Sequence, residues 1–385
     1  MGIRRGAACA MLVVLCGACT SVESRPSTAG PPSPTSALAG VDGAGTPLDE
    51  GTLGARAAHT ATRLLSGAVL VTGGCVTDGC GSATAETFLV SADGASYREG
   101  PLMSTPRDSH SASITSGGLV VLAGGFAGEG QAPLSSVEVF DPSSGVMTEV
   151  VSLRLGRGGH AAATAGDGRV LFVGGWIGPR TYTATTEIFD PVDGTIADGP
   201  ELPVAADALD AITLRDGRIL VTGGQVRPGV ATAVSAIFDP ATGSWAESGE
   251  LLTPRFKHTS VLLSDGSVLV MVGTSDDRVL LATTEIFDPS SGEFRRGPDL
   301  EEPRYKMQGG AAVLEDGRVA IAGGGRTVEI LDIGAGVSQV VASFTARGSF
   351  TTISLLGSGD LLVVGGYGDD IRLRDEARLI RAGAF

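Results

Sequence analysis

The sequence predicts an all-β fold, a ring of seven four-stranded antiparallel sheets, on three observations. An apolar run ending in two glycines recurs at a spacing of about fifty residues. A tight-turn dipeptide precedes each of these pairs by seven residues. A third motif, Phe-Asp-Pro closed by a glycine, follows in the middle repeats. The whole fold hangs on that period.

The diglycine runs are Val69 to Gly74, Val120 to Gly125, Val170 to Gly175 and Ile219 to Gly224, then a degraded copy at Val272-Gly273 and two further pairs at Gly323-Gly324 and Gly365-Gly366. Their first positions are separated by 51, 50, 49, 49, 51 and 42 residues. Before them stand Ser66-Gly67, Gly117-Gly118, Asp167-Gly168, Asp216-Gly217, Asp265-Gly266, Asp316-Gly317 and Ser358-Gly359. Asp-Gly between apolar runs is a strong hairpin signal, read here as a two-residue turn with both positions at positive φ. Each repeat thus opens with a β-hairpin.

Third strands are predicted at Glu138 to Asp141, Glu187 to Asp190, Ala236 to Asp239 and Glu285 to Asp288, each stopped by a proline. Gly145, Gly194, Gly243 and Gly292 then turn the chain into a fourth strand carrying Met147, Ile196, Trp245 or Phe294. Four antiparallel strands per repeat make one propeller blade. The last repeat supplies three strands, 351 to 356, 361 to 364 and 377 to 380, whereas residues 48–56 resemble the exit from a fourth strand at 247–255. An N-terminal strand is therefore expected to complete the last blade and close the ring. Residues 39–385 number 347, about fifty per blade, and are read as one domain.

These motifs in register resemble kelch-repeat β-propellers over nearly all of the chain beyond its N-terminal segment. The resemblance implies a fold and leaves function open. The diglycines are not phosphate loops, because each leads to another strand and not to a helix N-terminus. They are expected to let neighbouring blades approach closely. Glu138, Glu187, Glu285 and Glu329 are expected to bind backbone or Arg groups, not to act as acids. All four histidines, His59, His110, His160 and His258, stand three residues after an arginine, Arg56, Arg107, Arg157 or Arg255. In the other blades that slot is read as Leu209, Gly309 and Thr351, and its role as packing between blades. Trp245 and Tyr97 fall at the aromatic position of the fourth strand and are expected in the core.

The N-terminus reads as an address. Arg4 and Arg5 precede an apolar run, Met11 to Leu15, too short to cross a bilayer, so residues 1–18 read as a signal peptide. Leu15-Cys16-Gly17-Ala18-Cys19 resembles a bacterial lipobox, with Cys16 where such boxes usually have Leu, and implies lipidation of Cys19. Thr20 after that cysteine resembles outer-membrane or surface sorting. Residues 19–38, rich in Ser, Thr and Pro, form a tether unable to bury a core. Cys75 and Cys80 remain, placed to close a loop by a disulfide in an oxidising compartment.

Composition bounds the partners. The chain has 385 residues, 58 of them glycine, and a formal charge of −15, which becomes −17 once Arg4 and Arg5 leave with the signal. Such an acid excess, with no basic cluster, argues against nucleic acid and against direct docking on an anionic membrane. The membrane is expected to be reached only through the lipid, and the chain is expected to be a monomer.

Galactose oxidase has a seven-bladed kelch core too, with copper held by Tyr and His and a Cys-Tyr thioether. Here both remaining cysteines lie in one loop and every histidine lies in the repeat slot, so no metal and no cofactor are expected. Bacterial sialic-acid mutarotases are also kelch propellers. In kelch interaction domains the ligand sits on the loops after the diglycine and on residues entering the inner strand. Carried onto this chain, those positions are Phe126, Trp176, Gln225 and Tyr367, with Arg180 and Tyr182 beside Trp176, and Arg107 and Arg157 from the arginine slot. The pairs Asp276-Asp277 and Asp369-Asp370 are weaker candidates for a hard cation such as calcium. The function read from this is a non-catalytic envelope lipoprotein whose propeller binds an envelope or extracellular protein or another ligand. The rival is a carbohydrate-active propeller, mutarotase-like or glycan-binding. A binding platform implies ordinary pKa values, and an enzyme implies Arg and carboxylate converging at a deep channel mouth.

Overall fold

The computed structural model describes residues 46–47 and 53–385, apart from 129 and 131. The predicted signal peptide, residues 1–18, the lipidation site Cys19 and the tether, residues 19–38, lie outside the described residues.

Seven four-stranded antiparallel sheets form in chain order, as expected. From inner to outer strand, blade 1 is Thr60–Arg63, Val69–Thr72, Thr87–Val90 and Tyr97–Glu99, and blade 2 is Ser111–Ile114, Val120–Ala123, Ser136–Asp141 and Val146–Ser152. Blade 3 is Ala161–Thr164, Val170–Val173, Thr186–Asp190 and Thr195–Asp198, and blade 4 is Asp210–Thr213, Ile219–Thr222, Ser235–Asp239 and Ser244–Glu247. Blade 5 is Thr259–Leu262, Val268–Met271, Thr284–Asp288 and Glu293–Arg296, and blade 6 is Ala311–Val313, Val319–Ile321, Thr327–Asp332 and Val337–Ser343. Blade 7 takes Thr352–Leu355, Leu361–Val364 and Ala377–Ile380 from the C-terminal end of the chain. Its fourth strand is Thr46–Pro47, with Thr46 opposite Leu379 and Pro47 opposite Arg378.

The second strand of each blade is apolar, save for a closing threonine in blades 1 and 4, because both of its faces meet a neighbouring blade. Val69–Thr72, Val120–Ala123 and Val170–Val173, for example, are buried at every position. The core is consequently divided among the blade interfaces. Separate apolar clusters join blades 1 and 2, around Leu70 and Phe140, and blades 3 and 4, around Val173 and Phe238. The cluster of Val69, Val71, Leu362 and Leu379 joins blade 7 to blade 1 and closes the ring. Trp245 and Tyr97 are partly buried, stacked edge-on against Phe238 and Phe88.

The diglycines hold the ring at its narrow end. The N–H of the second glycine donates to a carbonyl of the next blade at all seven interfaces: Gly74 to Arg107, Gly125 to Arg157, Gly175 to Ala206, Gly224 to Arg255, Gly273 to Arg304, Gly324 to Gly348 and Gly366 to Arg56, at 2.7–2.9 Å. A Cβ on Gly124, whose φ is +63°, would lie 2.4 Å from the Arg157 carbonyl oxygen. No side chain fits there, so the motif is a contact between backbones.

The opening hairpins differ from the expectation in one respect. Gly168 has φ +90°, but Asp167 is not among the positive-φ residues, and the Ala165 N–H reaches the Arg169 carbonyl at 2.7 Å. The connection is a three-residue loop with glycine alone in the left-handed position, not a two-residue turn. The aspartate instead fastens the turn through its side chain, with Asp167 Oδ1 accepting from the Arg169 N–H at 3.1 Å.

Candidate functional site

The arginine slot is structural. Arg56, Arg107, Arg157 and Arg255 are fully buried, and so is Arg304, a fifth member that the repeat pattern in the sequence does not reveal. The Arg157 guanidinium donates to the Gly174 carbonyl at 2.8 Å, the Thr185 carbonyl at 2.9 Å and Glu187 Oε1 at 2.8 Å. Glu187 in turn accepts from the Arg154 N–H at 2.7 Å. Arg107 with Glu138, Arg255 with Glu285 and Arg304 with Glu329 repeat the pattern. Arg107 and Arg157 are therefore corrected from ligand contacts to ties within their blades, since their guanidinium groups are turned into protein. Blade 4 lacks both partners: Ala206 occupies the arginine position and Ala236 the glutamate position. The pair is absent as a unit, as expected when either charge alone would be stranded in a dry interface.

The histidines pack between blades. His59 Nε2 meets Thr352 Oγ1, His160 Nε2 meets Ser111 Oγ and His110 Nε2 meets Thr72 Oγ1, each at 2.9 Å, and His258 meets Thr222 at the same distance. Burial, with the neighbouring arginine as a smaller cause, drives His59, His160 and His258 down to about 3 and His110 well below its ordinary value. All four are neutral. The corresponding residue in blade 6 is Met307, three residues after Arg304, which corrects the reading of Gly309. Met307 is fully buried and its sulfur lies against Gly324.

Just before this slot the chain makes a left-handed step in every blade: Ala58, Ser109, Gly159, Ala208, Lys257, Lys306 and Phe350 all have φ between 51° and 59°. Six of these seven carry a Cβ that disfavours the conformation. A girdle of inter-blade hydrogen bonds holds them: Ser109 N–H to Ala58 O, Gly159 to Ser109, Ala208 to Gly159, Lys257 to Ala208 and Phe350 to Lys306, at 2.8–3.2 Å. This girdle frames one mouth of the channel. In six blades the residue after the diglycine bridges to the residue before the girdle, pairing among others Phe126 with Asp108, Trp176 with Gly158, Gln225 with Asp207 and Tyr367 with Ser349.

The mouth thus gathers Phe126, Trp176, Gln225 and Tyr367, but not as the exposed surface expected from the sequence. Trp176 is 5 % exposed, Tyr367 4 % and Gln225 2 %, because the short loop hairpins and neighbouring blades enclose them. Trp176 packs edge-on against Phe126 at 5.3 Å between centroids. Tyr182 is half-buried opposite Trp176 in a small hairpin, Trp176–Gly178 with Thr181–Tyr182, and Arg180 is exposed at its tip. Gln225 Nε2 donates to the Tyr182 hydroxyl at 2.7 Å.

Four charged residues of the mouth were missed in the sequence although they share repeat positions, Asp108 with Asp207 two residues before the slot and Lys257 with Lys306 one before it. Asp108, Asp207, Lys257 and Lys306 are all buried, and Lys257 Nζ pairs with Asp277 at 3.0 Å. Lys306 Nζ meets the Tyr367 hydroxyl and lies over the rings of Tyr305, Phe350 and Tyr367. Burial raises both Asp108 and Asp207 to about 7, in Asp207 against the pull of Lys257. Burial, then Asp207 and Asp277, push the Tyr182 hydroxyl up to about 12. The expectation of ordinary pKa values fails here, and desolvation is the reason. Arginine does not converge on these carboxylates, because the arginines of the slot are bound within their blades.

The two acidic pairs are engaged by protein. Asp276 accepts from the Arg278 and Val279 N–H groups, Asp277 pairs with Lys257, Asp369 lies near Arg326 and Arg347, and Asp370 lies near Arg372. Cys75 and Cys80 are joined by a disulfide that closes the blade 1 loop at this mouth.

Seven four-stranded blades on one axis define the class, a seven-bladed β-propeller. Residues 109–151, from the girdle of blade 2 to its outer strand, match the family model for the Kelch motif. In overall structure the chain is similar to a fungal alcohol oxidase described as having catalytic diversity among the AA5 family, in complex with copper. The TM-score is 0.68 at 16 % identity, covering 85 % of this chain and 74 % of that one, which shows a shared fold. No curated protein matches the chain. Among the described residues, no group of three or more His, Cys, Asp or Glu side chains is arranged to hold a metal ion, and the four histidines are committed between blades.

Proposed function

We propose that this chain is an exported binding protein of the cell envelope, held by a lipid on Cys19, that presents the girdled mouth of its propeller to a ligand or partner protein and carries out no chemistry of its own. The observation that carries the reading is the contrast between the repeated and unrepeated polar groups. The repeated Arg and Glu side chains pair within their blades, and each His is bound through Nε2 to a hydroxyl of the preceding blade. Asp207, Lys257, Gln225 and Tyr182 stand at positions whose side chains change from blade to blade, and they meet at the mouth of blades 3 to 5. The shifted carboxyls depart from what a plain platform implies, but the slot arginines do not converge on them as the enzyme reading requires, and that favours binding over chemistry. The tether expected at residues 19–38 would hold such a propeller away from the bilayer.

The test is affinity capture from envelope extracts with the full chain, run beside a glycan array. Arg180→Ala and Tyr182→Ala should reduce whatever binds, whereas Ser66→Ala, in a hairpin at the opposite end of blade 1, should not. Equal binding by all three would overturn the mouth as the site. Cys19→Ala should move the protein out of the membrane fraction, and an unchanged distribution would remove the anchor.

A further inference from the structure

At the base of the propeller, the end opposite the mouth, we infer that the groove between blades 1 and 2 is the seat of the chain's own proline-rich segment, Pro31-Pro32-Ser33-Pro34. That segment lies ahead of the described residues. The groove encloses about 470 Å³ and is lined by Leu64, Leu89, Tyr97, Phe140 and Pro142. It runs between the base hairpin and outer strands of blade 1 and the Asp141-Pro142 turn of blade 2.

The repeat itself shows what such a groove takes. Leu64, Leu89 and Phe140 correspond to Leu314, Ile330 and Ile380 between blades 6 and 7. Leu64 and Leu314 each accept from the turn glycine of their base hairpin. Leu89 and Ile330 stand opposite the second residue of their blade's second strand, and Phe140 and Ile380 opposite the first. Against that second set the chain packs its own last residues, Ala384 and Phe385. A short segment of this chain therefore covers the site between blades 6 and 7, whereas the equivalent site between blades 1 and 2 is an open groove.

Chemistry and reach select the occupant. A Pro-Pro-x-Pro segment is held extended before it binds and docks in apolar grooves lined by aromatic rings, which Tyr97 and Phe140 supply here. The next groove, between blades 2 and 3, presents the Asp167–Arg169 ion pair and Asp190 and has no aromatic residue in its lining. A second copy of the chain brings a charge of −15, whereas residues 26–41 carry none. The direction of the chain delivers the segment to the right end. Ile380 stands opposite Leu361, the first residue after the base hairpin, so Ala377–Ile380 runs from mouth to base. Its antiparallel partner Thr46–Pro47 runs from base to mouth, and the chain ahead of Thr46 leaves at the base of blade 7. Blade 1 separates that point from the groove, about two sheet spacings or on the order of 20–30 Å at the rim. The twelve residues from Pro34 to Thr46 span about 37 Å when extended as polyproline. The docking stands without the lipid proposed on Cys19, and with that lipid it holds the base toward the bilayer and turns the mouth away from it.

The test is disulfide trapping in the full chain. Ser33→Cys is combined either with Ser143→Cys, at the groove, or with Val192→Cys, which holds the same repeat position one groove further on, and the linked peptides are identified by mass spectrometry after mild oxidation. Trapping at position 143 is expected to be about ten-fold faster than at 192, and to fall to the slower rate in Tyr97→Ala and in Pro32→Ser with Pro34→Ser. The proline variant lies outside the propeller, so it keeps the test decisive where Tyr97→Ala fails to fold. Mere nearness would leave the rate at 143 unchanged by the proline variant, and that result overturns the inference. Equal trapping at 143 and 192 overturns it as well. Linkage between two chains, seen as a dimer on a non-reducing gel, would assign the groove to a second copy and overturn the intramolecular seat. Trapping is expected to be the same in Cys19→Ala, so a failed anchor and a failed docking are read independently.

Discussion

Arg157 offers the sharpest energetic test of how the blades are held. Arg157→Ala removes a guanidinium that reaches Glu187, the Gly174 carbonyl and the Thr185 carbonyl. It leaves the Glu187 charge in a site where that side chain is 3 % exposed. Stranding one member of a buried ion pair costs about 3–5 kcal/mol. Glu187→Ala strands the cation and orphans the Arg154 N–H, with a cost of the same order, about 3–5 kcal/mol. The double variant restores what blade 4 has, alanine at both positions, and keeps only the orphaned backbone groups and a cavity. It should cost about 4–6 kcal/mol, well below the sum, for a coupling of roughly 3 kcal/mol. Guanidinium chloride unfolding of the full chain, followed by far-ultraviolet circular dichroism, measures all three. The neighbouring Arg154–Asp198 pair is the control: at 61 % and 67 % side-chain exposure, its loss by Arg154→Ala should cost about 1 kcal/mol or less. Additivity of the two single variants within about 0.5 kcal/mol would refute the buried-pair account. So would a loss in Arg154→Ala as large as that in Arg157→Ala.

Acid should loosen the ring. His59, His160 and His258, near 3 in the fold, and His110, held well below its ordinary value, protonate at about 6.5 once unfolded, so their contribution is complete above about 6.5 and is lost as pH falls toward 3. Asp108 and Asp207, near 7 when folded and about 3.9 when unfolded, act in the opposite direction, fully below about 3.9 and progressively lost as pH rises to 7. Asp210, raised by burial to about 6, acts with them, but four histidines outweigh three aspartates, so the thermal midpoint should drop between pH 6.5 and 4, and imidazole proton resonances should not titrate between pH 5 and 8. A resonance titrating near 6.5 would overturn the burial of that histidine. Gly124→Ala and Gly145→Ala, at φ +63° and +70°, separate backbone clash from conformational strain. The second has open space around its Cβ and should cost about 1 kcal/mol, whereas the first should abolish folded, soluble protein. Reaction with Ellman's reagent should detect neither Cys75 nor Cys80 before reduction, and replacing both with alanine should cost about 2 kcal/mol.

The blades were readable because each repeat states its own constraints locally. Glycine pairs, turn glycines and Asp-Pro stops act within a few residues of where they stand, and the apolar second strands declare burial on both faces. The mouth was only half readable. The diglycine register placed Phe126, Trp176, Gln225 and Tyr367 at one end of the ring, but not the burial of the last three, which depends on hairpins packing over them. Arg107 and Arg157 were misread because an arginine near a functional loop looks the same in sequence whether its partner is a ligand or a glutamate thirty residues on. Arg304 was hidden by a register shift in blade 6, where the diglycine lies nineteen residues away instead of seventeen. The joint replacement of Arg and Glu by Ala206 and Ala236 in blade 4 was the available signal for a pair.

By itself, then, the sequence determined the number of blades, their strand order and the backbone joints between them, since hydrophobic period, turn chemistry and the need for missing side chains are all short-range. Tertiary structure alone decided which polar groups are consumed by the ring and which are left at its mouth. Asp207 and Trp176 are 31 residues apart in the chain and become neighbours only because blade 3 meets blade 4 through the Gly175–Ala206 hydrogen bond. Their desolvation, and Asp207's distance from an ordinary carboxylate, arise from that closure and from nothing in either residue's own segment.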